Sequence, residues 1–480
     1  MDMDRRSFLK AGLGATLALG LPAGMISSVF AKPVGKVREF HLSASRAKIN
    51  LGAGPDFWAW TYNGTVPGPE IRVKEGETIR VVLKNLLPEE TTIHWHGLPV
   101  PNAMDGVPDV TQKGIQPGGS FVYEFEAKPS GTFLYHSHVG YQLDQGLYGA
   151  LIIEPAAGPG SHDREYTLML EDWVTKDGGG VAETRRRPPG GMGMMGRGMM
   201  GRRSIQPSST EPLLEPYYDV YAVNGKLYDE QKPLEVIKGE RVKLRLINPS
   251  SSTIYDLRLA GHSLTITHSD GNRVTPVQTD ILRIGMGERY DVEFKADNPG
   301  YWLLAAREAG FGEGMLRVPI KYKGIQSKDP VSPRFFRGVR FVSYYDMMSA
   351  RPLREAVSGK ADRFFEQALS GGMHSPYWTI NGQIYPRAQP LLVEKNERIR
   401  IGYWNRSMMP HPMHLHGHFF RVVNPNIPRE RWINKDTVIV SPMERLDIEF
   451  FTDNPGKWFH HCHNLYHMAA GMANVVNYVN

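Results

Sequence analysis

Residues 62–85 read YNGTVPGPEIRVKEGETIRVVLKN, and the pattern in this stretch occurs three times in the chain. It returns as VNGKLYDEQKPLEVIKGERVKLRLIN over 223–248 and as INGQIYPRAQPLLVEKNERIRIGYWN over 380–405. Each copy sets an Asn-Gly turn beside short runs in which Val, Ile and Leu alternate with polar residues. Such runs predict antiparallel β-strands. The repeat therefore predicts an all-β chain made of three related units.

A second element also recurs three times, over 120–138, 288–306 and 444–463. In each copy, a strand of alternating apolar and polar residues is followed by a strand that begins with Gly and has an aromatic residue within the next two positions. Units of this size, rich in short strands, are typical of Greek-key β-sandwiches. We expect units at 32–158, 159–325 and 377–480, with a linker at 326–376 in which we expect no chemistry.

Composition agrees with a folded, turn-rich protein. A length of 480 residues suggests about three domains, and 41% hydrophobic with 22% charged residues excludes disorder over most of the chain. The balance of 56 Lys+Arg against 50 Asp+Glu gives a net charge of only +6, so we expect no nucleic-acid partner. The single cysteine, Cys462, excludes an intrachain disulfide.

The N-terminal residues 1–31 predict a twin-arginine signal peptide. Arg5 and Arg6 precede an apolar stretch and then small residues near Ala31, in the order that such signals require. No other segment approaches the roughly 20 apolar residues of a membrane span, so we expect no stable membrane insertion. The twin-arginine machinery would then deliver the mature protein to the periplasm.

Histidines occur in pairs far more often than chance allows. With 17 histidines, chance gives roughly 0.6 His-x-His pairs, whereas the chain has five, at 94/96, 136/138, 414/416, 416/418 and 461/463. Residues i and i+2 of a strand face the same side, so each pair can direct two imidazoles at one point. The pairs fall in the first and third repeats, and the equivalent positions of the middle repeat have none. The outer repeats are therefore predicted to hold the metal.

Strand alternation divides the last cluster between two centres. Cys462 faces one side of its strand, while His461 and His463 face the other. A thiolate with His411, His467 and the weak thioether ligand Met472 is the soft set of a blue electron-transfer copper. Eight imidazoles remain for a second centre, which suits a copper cluster that faces dioxygen. A closed tetrahedral zinc site would need only one such set.

The four histidine segments resemble the four copper motifs of multicopper oxidases, over nearly the whole mature chain. In the last segment, the spacing of His-Cys-His, Tyr-His-Met and Gly-Met over 461–472 is similar to that of the bacterial copper-resistance branch. The resemblance implies three cupredoxin-like Greek-key β-sandwich domains and four copper ions. It implies that His411, Cys462, His467 and Met472 hold the type 1 copper. The implied trinuclear ligands are His94 and His414 for type 2, and His96, His136 and His463 with His138, His416 and His461 for the type 3 pair.

Other side chains have implied or possible roles near these centres. The family places an acidic residue where Asp105 stands, and a carboxylate there can deliver protons; alternatively, Asp105 and Gly106 form only a turn. Met409 lies two residues before His411, where it could pass on an electron from Cu(I). A methionine-rich loop could capture Cu(I) through Met192, Met194, Met195, Met199 and Met200, or it could be a plain insertion.

These observations predict a monomeric periplasmic oxidase. It would take single electrons from Cu(I), phenols or other small donors, reduce dioxygen to water and contribute to copper tolerance. Two alternatives remain open at this point: a laccase-like phenol oxidase with no role in copper tolerance, and a copper-sequestering protein without turnover.

Overall fold

The computed structural model describes residues 35–52, 56–158, 160–175, 215–216, 218–309, 316–335, 339–351, 360–372 and 375–479. The predicted signal at 1–31 and the methionine-rich loop, with Met192, Met194, Met195, Met199 and Met200, lie outside these residues. Within them, the strands form six sheets that pair as three sandwiches. The prediction of an all-β fold with three cupredoxin-like sandwiches is confirmed. No described helix is long and apolar enough to cross a membrane.

The first sandwich pairs two four-stranded sheets with the orders β2-β1-β4-β6 and β3-β8-β7-β5. The strands are β1 Val37–Ile49, β2 Phe57–Tyr62, β3 Gly68–Lys74, β4 Thr78–Asn85, β5 His94–His96, β6 Ser120–Glu126, β7 Gly131–His136 and β8 Tyr148–Glu154. One face of each sheet packs into a core centred on Trp95, Tyr123 and Phe133.

The second sandwich pairs a six-stranded sheet, β10-β9-β12-β17-β14-β15, with the five-stranded sheet β11-β19-β18-β13-β16. Its strands are β9 Arg164–Trp173, β10 Val220–Val223, β11 Leu234–Val236, β12 Arg241–Ile247, β13 Tyr255–Leu259, β14 Leu264–Ser269, β15 Asn272–Thr279, β16 Leu282–Ile284, β17 Arg289–Lys295, β18 Tyr301–Glu308 and β19 Leu316–Tyr322.

The third sandwich repeats this arrangement with the orders β21-β20-β23-β28-β25-β26 and β22-β30-β29-β24-β27. Its elements are β20 Arg363–Gly372, β21 Ser375–Ile380, β22 Leu391–Val393, β23 Arg398–Asn405, β24 His411–Leu415, β25 Phe420–Val422, β26 Asn434–Lys435, β27 Thr437–Val440, β28 Arg445–Phe451, β29 Lys457–Cys462, helix α1 Leu465–Ala469 and β30 Ala473–Tyr478. Short 3₁₀ turns occur at Asn102–Met104, Tyr228–Glu230, Tyr344–Asp346 and Arg429–Arg431.

The Asn-Gly turns join the two sheets of each sandwich. In all three, both residues have positive φ; Asn63 and Gly64, for example, have φ of 56° and 78°. The predicted hairpins are limited to a single bridge at each turn, such as that between Tyr62 and Thr65, because the chain then crosses to the other sheet of the sandwich. The Asn63 amide bonds the backbone of Ser43 and His41 in β1, and the Asn residues of the other two turns bond β9 and β20 in the same way.

The stretch predicted to be a linker contains β20, which pairs in parallel with β23. The third pair of sheets therefore includes residues before 377. Leu369 is the one fully buried apolar side chain of β20. The strand sequence, RFFEQALSGG, has no regular apolar alternation, so the sequence did not reveal it as a strand.

Equivalent strands of the first and third sandwiches carry the histidines. Strands β5 and β7 are neighbours in the first sandwich, and β24 and β29 are neighbours in the third. The register places His94 opposite His136 and His414 opposite His461. The equivalent strands of the second sandwich, β13 and β18, carry no histidine.

Candidate metal centres

Eight imidazoles from the first and third sandwiches meet between them. They fall into three groups whose ligand nitrogens lie within 4.8 Å of one another: His94, His96 and His414; His96, His136 and His463; and His138, His416 and His461. All eight side chains are buried. The structure thus brings together each set of histidines that the sequence predicted.

Ring nitrogens approach each other closely, both across the boundary of the first and third sandwiches and within the third sandwich. Nε2 of His94 lies 3.4 Å from Nε2 of His414, although 320 residues separate them. Nε2 of His461 lies 3.4 Å from Nε2 of His138 and 3.0 Å from Nε2 of His416. Several lone pairs that converge without a proton between them repel, and a cation placed among them removes this repulsion.

In the group of His96, His136 and His463, four buried ring nitrogens have no hydrogen-bond partner among the described residues. They are Nδ1 of His96, Nε2 of His136 and both ring nitrogens of His463. Buried polar atoms are nearly always paired, so this concentration indicates ligands whose partner is a metal ion. Imidazoles suit copper, so the donor set fits the predicted cluster.

Burial keeps several of the candidate ligand imidazoles neutral, including that of His411 in the cysteine site described below. It lowers the pKa of His136 to about 3 and that of His411 to about 3. Burial is also the main cause that lowers the pKa of His96, His414 and His463, and neighbouring histidines add to it. A neutral imidazole has a free lone pair, which is the form that binds a metal.

A separate group surrounds the cysteine on the other side of β29. Sγ of Cys462 lies 3.7 Å from Nδ1 of His411 and 3.7 Å from Nδ1 of His467, and these two nitrogens are 3.1 Å apart. Met472 is fully buried next to this group, and its carbonyl accepts a 3.0 Å hydrogen bond from the Cys462 amide. Burial raises the pKa of the Cys462 thiol, so a bound cation is required to hold it as a thiolate.

Ser407 orients one ligand of this group. Its hydroxyl lies 2.8 Å from Nε2 of His411, which leaves Nδ1 to face the sulfur. Trp378 covers the same site from outside, with its ring centroid 3.9 Å from that of His467 and 5.2 Å from that of His411. The tryptophan is itself half-buried.

Three methionines, called the rim methionines below, lie on loops next to the strand pair that carries His411: Met408 and Met409 precede β24, and Met443 follows β27. Met409 is half-buried, whereas Met408 and Met443 are 75% and 61% exposed. The Asn405 side-chain amide donates to the carbonyls of Met409 and Ser441, so the two loops are joined. Sequence reasoning singled out Met409 and missed the other two, since neither is near a ligand in a motif.

Asp105 lies inside the histidine cluster rather than in a solvent-exposed turn. Its side chain is 0% exposed, and its carboxylate oxygens lie 3.2 and 3.1 Å from Nδ1 of His416. One of them is also 3.2 Å from Nδ1 of His94, whose ring nitrogen contacts the Asp105 carbonyl at 2.9 Å. The carboxylate therefore contacts the outer nitrogens of two predicted ligands, one from each sandwich.

Sequence reasoning missed a second carboxylate, that of Asp436. Its Oδ1 lies 3.1 Å from Nε2 of His96, and its carbonyl lies 2.8 Å from Nδ1 of His414. The neighbouring Thr437 hydroxyl is 3.1 Å from each of the same two nitrogens. Contacts of this kind fix the tautomer and orientation of metal-binding histidines. No motif marks Asp436 in the sequence.

The remaining histidines near the clusters have other partners. His418 contacts the Tyr478 hydroxyl at 2.7 Å, and His460 contacts that of Tyr403 at 2.7 Å. The second nitrogen of each ring is also paired. Both rings are therefore structural, as their exclusion from the predicted ligand sets implied.

Comparison with known proteins agrees with this architecture. Three family models, each described as multicopper oxidase, match residues 43–158, 164–324 and 362–480. The multicopper oxidase MmcO of Mycobacterium tuberculosis is 34% identical, over 99% of this chain and 97% of that protein. Copper resistance protein A of Escherichia coli is 28% identical, over 98% of each chain. The chain belongs to the multicopper oxidase family.

The fold is also similar to a solved structure in that family. The crystal structure of Fet3p, described as a multicopper oxidase that functions in iron import, superposes with a TM-score of 0.76. It is 22% identical, and the match covers 92% of this chain and 90% of Fet3p. Family membership and the histidine groups together define an oxidoreductase that uses dioxygen and has copper cofactors.

Proposed function

We propose that this oxidase takes single electrons from Cu(I), and from phenols or other small donors, and contributes to copper tolerance. The similarity to a copper resistance protein supports this role. So do the rim methionines, because thioethers are soft ligands that select Cu(I).

The proposed cofactors are four copper ions. The type 1 ion would be held by His411, Cys462, His467 and Met472, and the type 2 ion by His94 and His414. The type 3 pair would be held by His96, His136 and His463 and by His138, His416 and His461. When bound, the copper ions accept electrons singly and supply the four that reduce dioxygen to two waters.

The observation that carries the proposal is the shared strand at His461, Cys462 and His463. The thiol lies 3.7 Å from two imidazoles on one face, while the flanking histidines join the other cluster behind it. His461 and His463, each covalently adjacent to Cys462, would therefore connect an electron-accepting site to an oxygen-reducing site. A protein that only stores copper has no need of this connection.

Electron entry is proposed at Trp378 and the rim methionines. The Trp378 ring packs against both histidines of the cysteine site and is itself half-buried, so a donor at the surface is separated from His467 by one side chain. Met409 would hold Cu(I) there, and the loop with Met192, Met194, Met195, Met199 and Met200 would supply it.

Proton delivery is proposed for Asp105. Its buried carboxylate contacts the rings of His94 and His416 and is the acidic group nearest to both among the described residues. A second route through the residue after His467 is not proposed, because Met468 there has no exchangeable proton.

We also propose that the protein is exported to the periplasm by the twin-arginine route and is a monomer. The proposed domain division is 32–158, 159–325 and 377–480. The Arg pair and the apolar stretch within 1–31 support export. The matched family models support the boundaries near 158 and 325, whereas the third model begins at residue 362, just before β20, which already pairs within the third sandwich.

An oxygen-electrode comparison of Cu(I), a phenol and Fe(II) tests the proposed donor. Turnover that is fastest with Cu(I) supports the copper-tolerance role, whereas turnover with the phenol alone supports a laccase-like role. Copper binding without oxygen uptake from any donor identifies a sequestering protein. Cys462→Ser provides the control, because loss of the thiol should abolish uptake with every donor.

A further inference from the structure

Five ionisable side chains are completely buried where the middle sandwich meets the third. Each of them is 0% exposed: Asp270, Glu288, Arg289, Lys435 and Asp436. The first three belong to the middle sandwich and the last two to the third. Burial of charges is costly unless they are paired in good geometry, so a network of this size requires a structural or functional reason.

The network ends on a predicted copper ligand. Arg289 donates two hydrogen bonds to the carboxylate of Asp436, at 2.7 and 2.6 Å. The carboxylate in turn lies 3.1 Å from Nε2 of His96. When Nε2 carries the proton, its N–H donates a hydrogen bond to this carboxylate and Nδ1 keeps the lone pair; Nδ1 is the atom without a hydrogen-bond partner among the described residues. Arg289 thereby fixes the carboxylate that fixes the tautomer of His96.

The rest of the network holds the segment that carries Asp436. The Asp270 carboxylate accepts hydrogen bonds from the backbone N–H of Asp436 and Thr437, both at 3.3 Å, and from that of Arg289 at 2.9 Å. Lys435 lies between Asp270 and Glu288, at 3.0 and 2.9 Å. This segment of the third sandwich is therefore attached to the middle one by polar contacts only a few residues from the cluster.

The middle sandwich also packs directly against two ligands. Gly287 has a φ of +80°, and a Cβ atom there would lie 2.8 Å from Cε1 of His96 and 2.9 Å from Cδ2 of His463. Such contacts are shorter than van der Waals packing permits, so a larger residue would displace the rings. Glycine is required here by both the backbone conformation and the adjacent imidazoles.

We propose that the middle sandwich, which supplies no ligand, positions the trinuclear copper site through Arg289 acting on Asp436 and through the backbone of Gly287. Arg289, Asp436 and Gly287 are positioning residues that act through His96 and His463. The inference rests on the proposed assignment of those histidines to copper.

The first test compares Arg289→Met with the matched control Arg245→Met. Arg245 is also buried in the middle sandwich, at 3% exposure, and bonds Thr132 of the first sandwich at 2.8 Å and Glu165 at 2.8 Å. Both changes remove a buried cation that joins two sandwiches, so both should lower the unfolding temperature. Only Arg289→Met should lower the copper content by at least one ion per chain and weaken the near-ultraviolet absorption of the type 3 pair, to which His96 is assigned, while the blue band of the type 1 site persists.

Kinetics should separate the two variants as well. Removal of an outer-shell partner of a metal ligand typically costs 10- to 100-fold in metal affinity or activity. We expect kcat for oxygen reduction to fall about tenfold or more in Arg289→Met, with the KM for the donor unchanged. Arg289→Lys, which keeps the charge but has no planar fork, should recover part of the copper content.

The second test compares Gly287→Ala with Gly324→Ala. Gly324 has a similar φ of +87°, but a Cβ there meets nothing within 4 Å, so it measures the backbone strain alone. Gly287→Ala should weaken the near-ultraviolet absorption of the type 3 pair, to which His96 and His463 are assigned, and Gly324→Ala should not. This pair decides the question if Arg289→Met does not fold.

The results distinguish failure of this inference from failure of the proposed function. A wild-type protein that, fully loaded, has no type 2 signal contradicts the copper assignment itself. If the wild type has the signal but Gly287→Ala and any folded Arg289 variant keep its copper content and the near-ultraviolet absorption of its type 3 pair, the positioning role of the middle sandwich is overturned.

Discussion

Both carboxylate oxygens of Asp105 lie within hydrogen-bonding distance of Nδ1 of His416, at 3.2 and 3.1 Å, across the boundary between the first and third sandwiches. The two residues are 311 positions apart in the chain. An acidic side chain is thus held against the ring of a predicted copper ligand, on the side opposite the nitrogen that faces the cluster.

Asp105→Asn should slow oxygen reduction at least about tenfold, because general acid–base groups contribute roughly 10²- to 10⁴-fold and water can replace part of that. The blue band should be unchanged, since the cysteine site lies on the other side of β29. Oxygen uptake and stopped-flow reduction of the blue band measure the two steps separately. Asp109→Asn, an exposed site on the same loop, is the control. Unchanged uptake in Asp105→Asn would leave this residue with only a structural role.

Ser407→Ala should weaken the type 1 site. The hydroxyl lies 2.8 Å from Nε2 of His411, and a hydrogen bond at this nitrogen raises the basicity of the ligand. We expect about tenfold weaker copper retention at this site and a higher reduction potential. Competition with a Cu(I) chelator and redox titration of the blue band measure these changes. Ser407→Thr should restore both properties, and equal values in Ala and Thr variants would exclude a role for the hydroxyl.

Deletion of residues 190–201, or Met409→Leu, should raise the KM for Cu(I) severalfold without changing the KM for a phenol. The reason is that a thioether binds Cu(I) as a soft ligand, whereas a phenol is oxidised without coordination by sulfur. Steady-state oxygen uptake with each donor measures the difference. Equal changes in both KM values would reject a Cu(I)-specific role for these methionines.

The copper-free protein should lose stability as the pH falls below about 6.5. Burial lowers the pKa of His418 to about 4 and that of His460 to about 4, so both bind protons more readily in the unfolded chain. Their contribution is present above the unfolded pKa and is lost as the pH falls towards 4, by up to about 1.4 kcal/mol per pH unit for each histidine. Urea unfolding at pH 7, 6 and 5 measures this slope. His418→Gln should reduce it, and a flat profile would contradict the neutral, buried state of these rings.

The sequence predicted which histidines lie together because strand periodicity is local. A His-x-His pair in a strand must point both rings to one side, so the facing directions of His461, Cys462 and His463 follow from three consecutive residues. The positions of the His-x-His pairs in the first and third repeats indicated that both outer sandwiches contribute histidines. The Asn-Gly turns were also recognised, although their role as crossovers depends on the strands that the Asn amides contact.

The supporting residues could not be predicted in the same way. Asp436 and Arg289 stand in no motif, and they meet only because two sandwiches pack together. Because the middle repeat has no histidine at the equivalent positions, nothing in the sequence indicated that its Arg289 and Gly287 contact the site. Contacts of this kind depend on tertiary packing, and one sequence by itself carries no local pattern for them.

The central claim is that one strand joins a copper–thiolate site to a cluster of copper–imidazole sites. Crystals of the fully loaded protein, measured at wavelengths on both sides of the copper absorption edge, test it most directly. The account predicts four anomalous peaks: one beside Sγ of Cys462 and three among the histidine groups behind it. A Cys462 sulfur with no copper peak beside it, or only one peak among the eight imidazoles, would contradict the account.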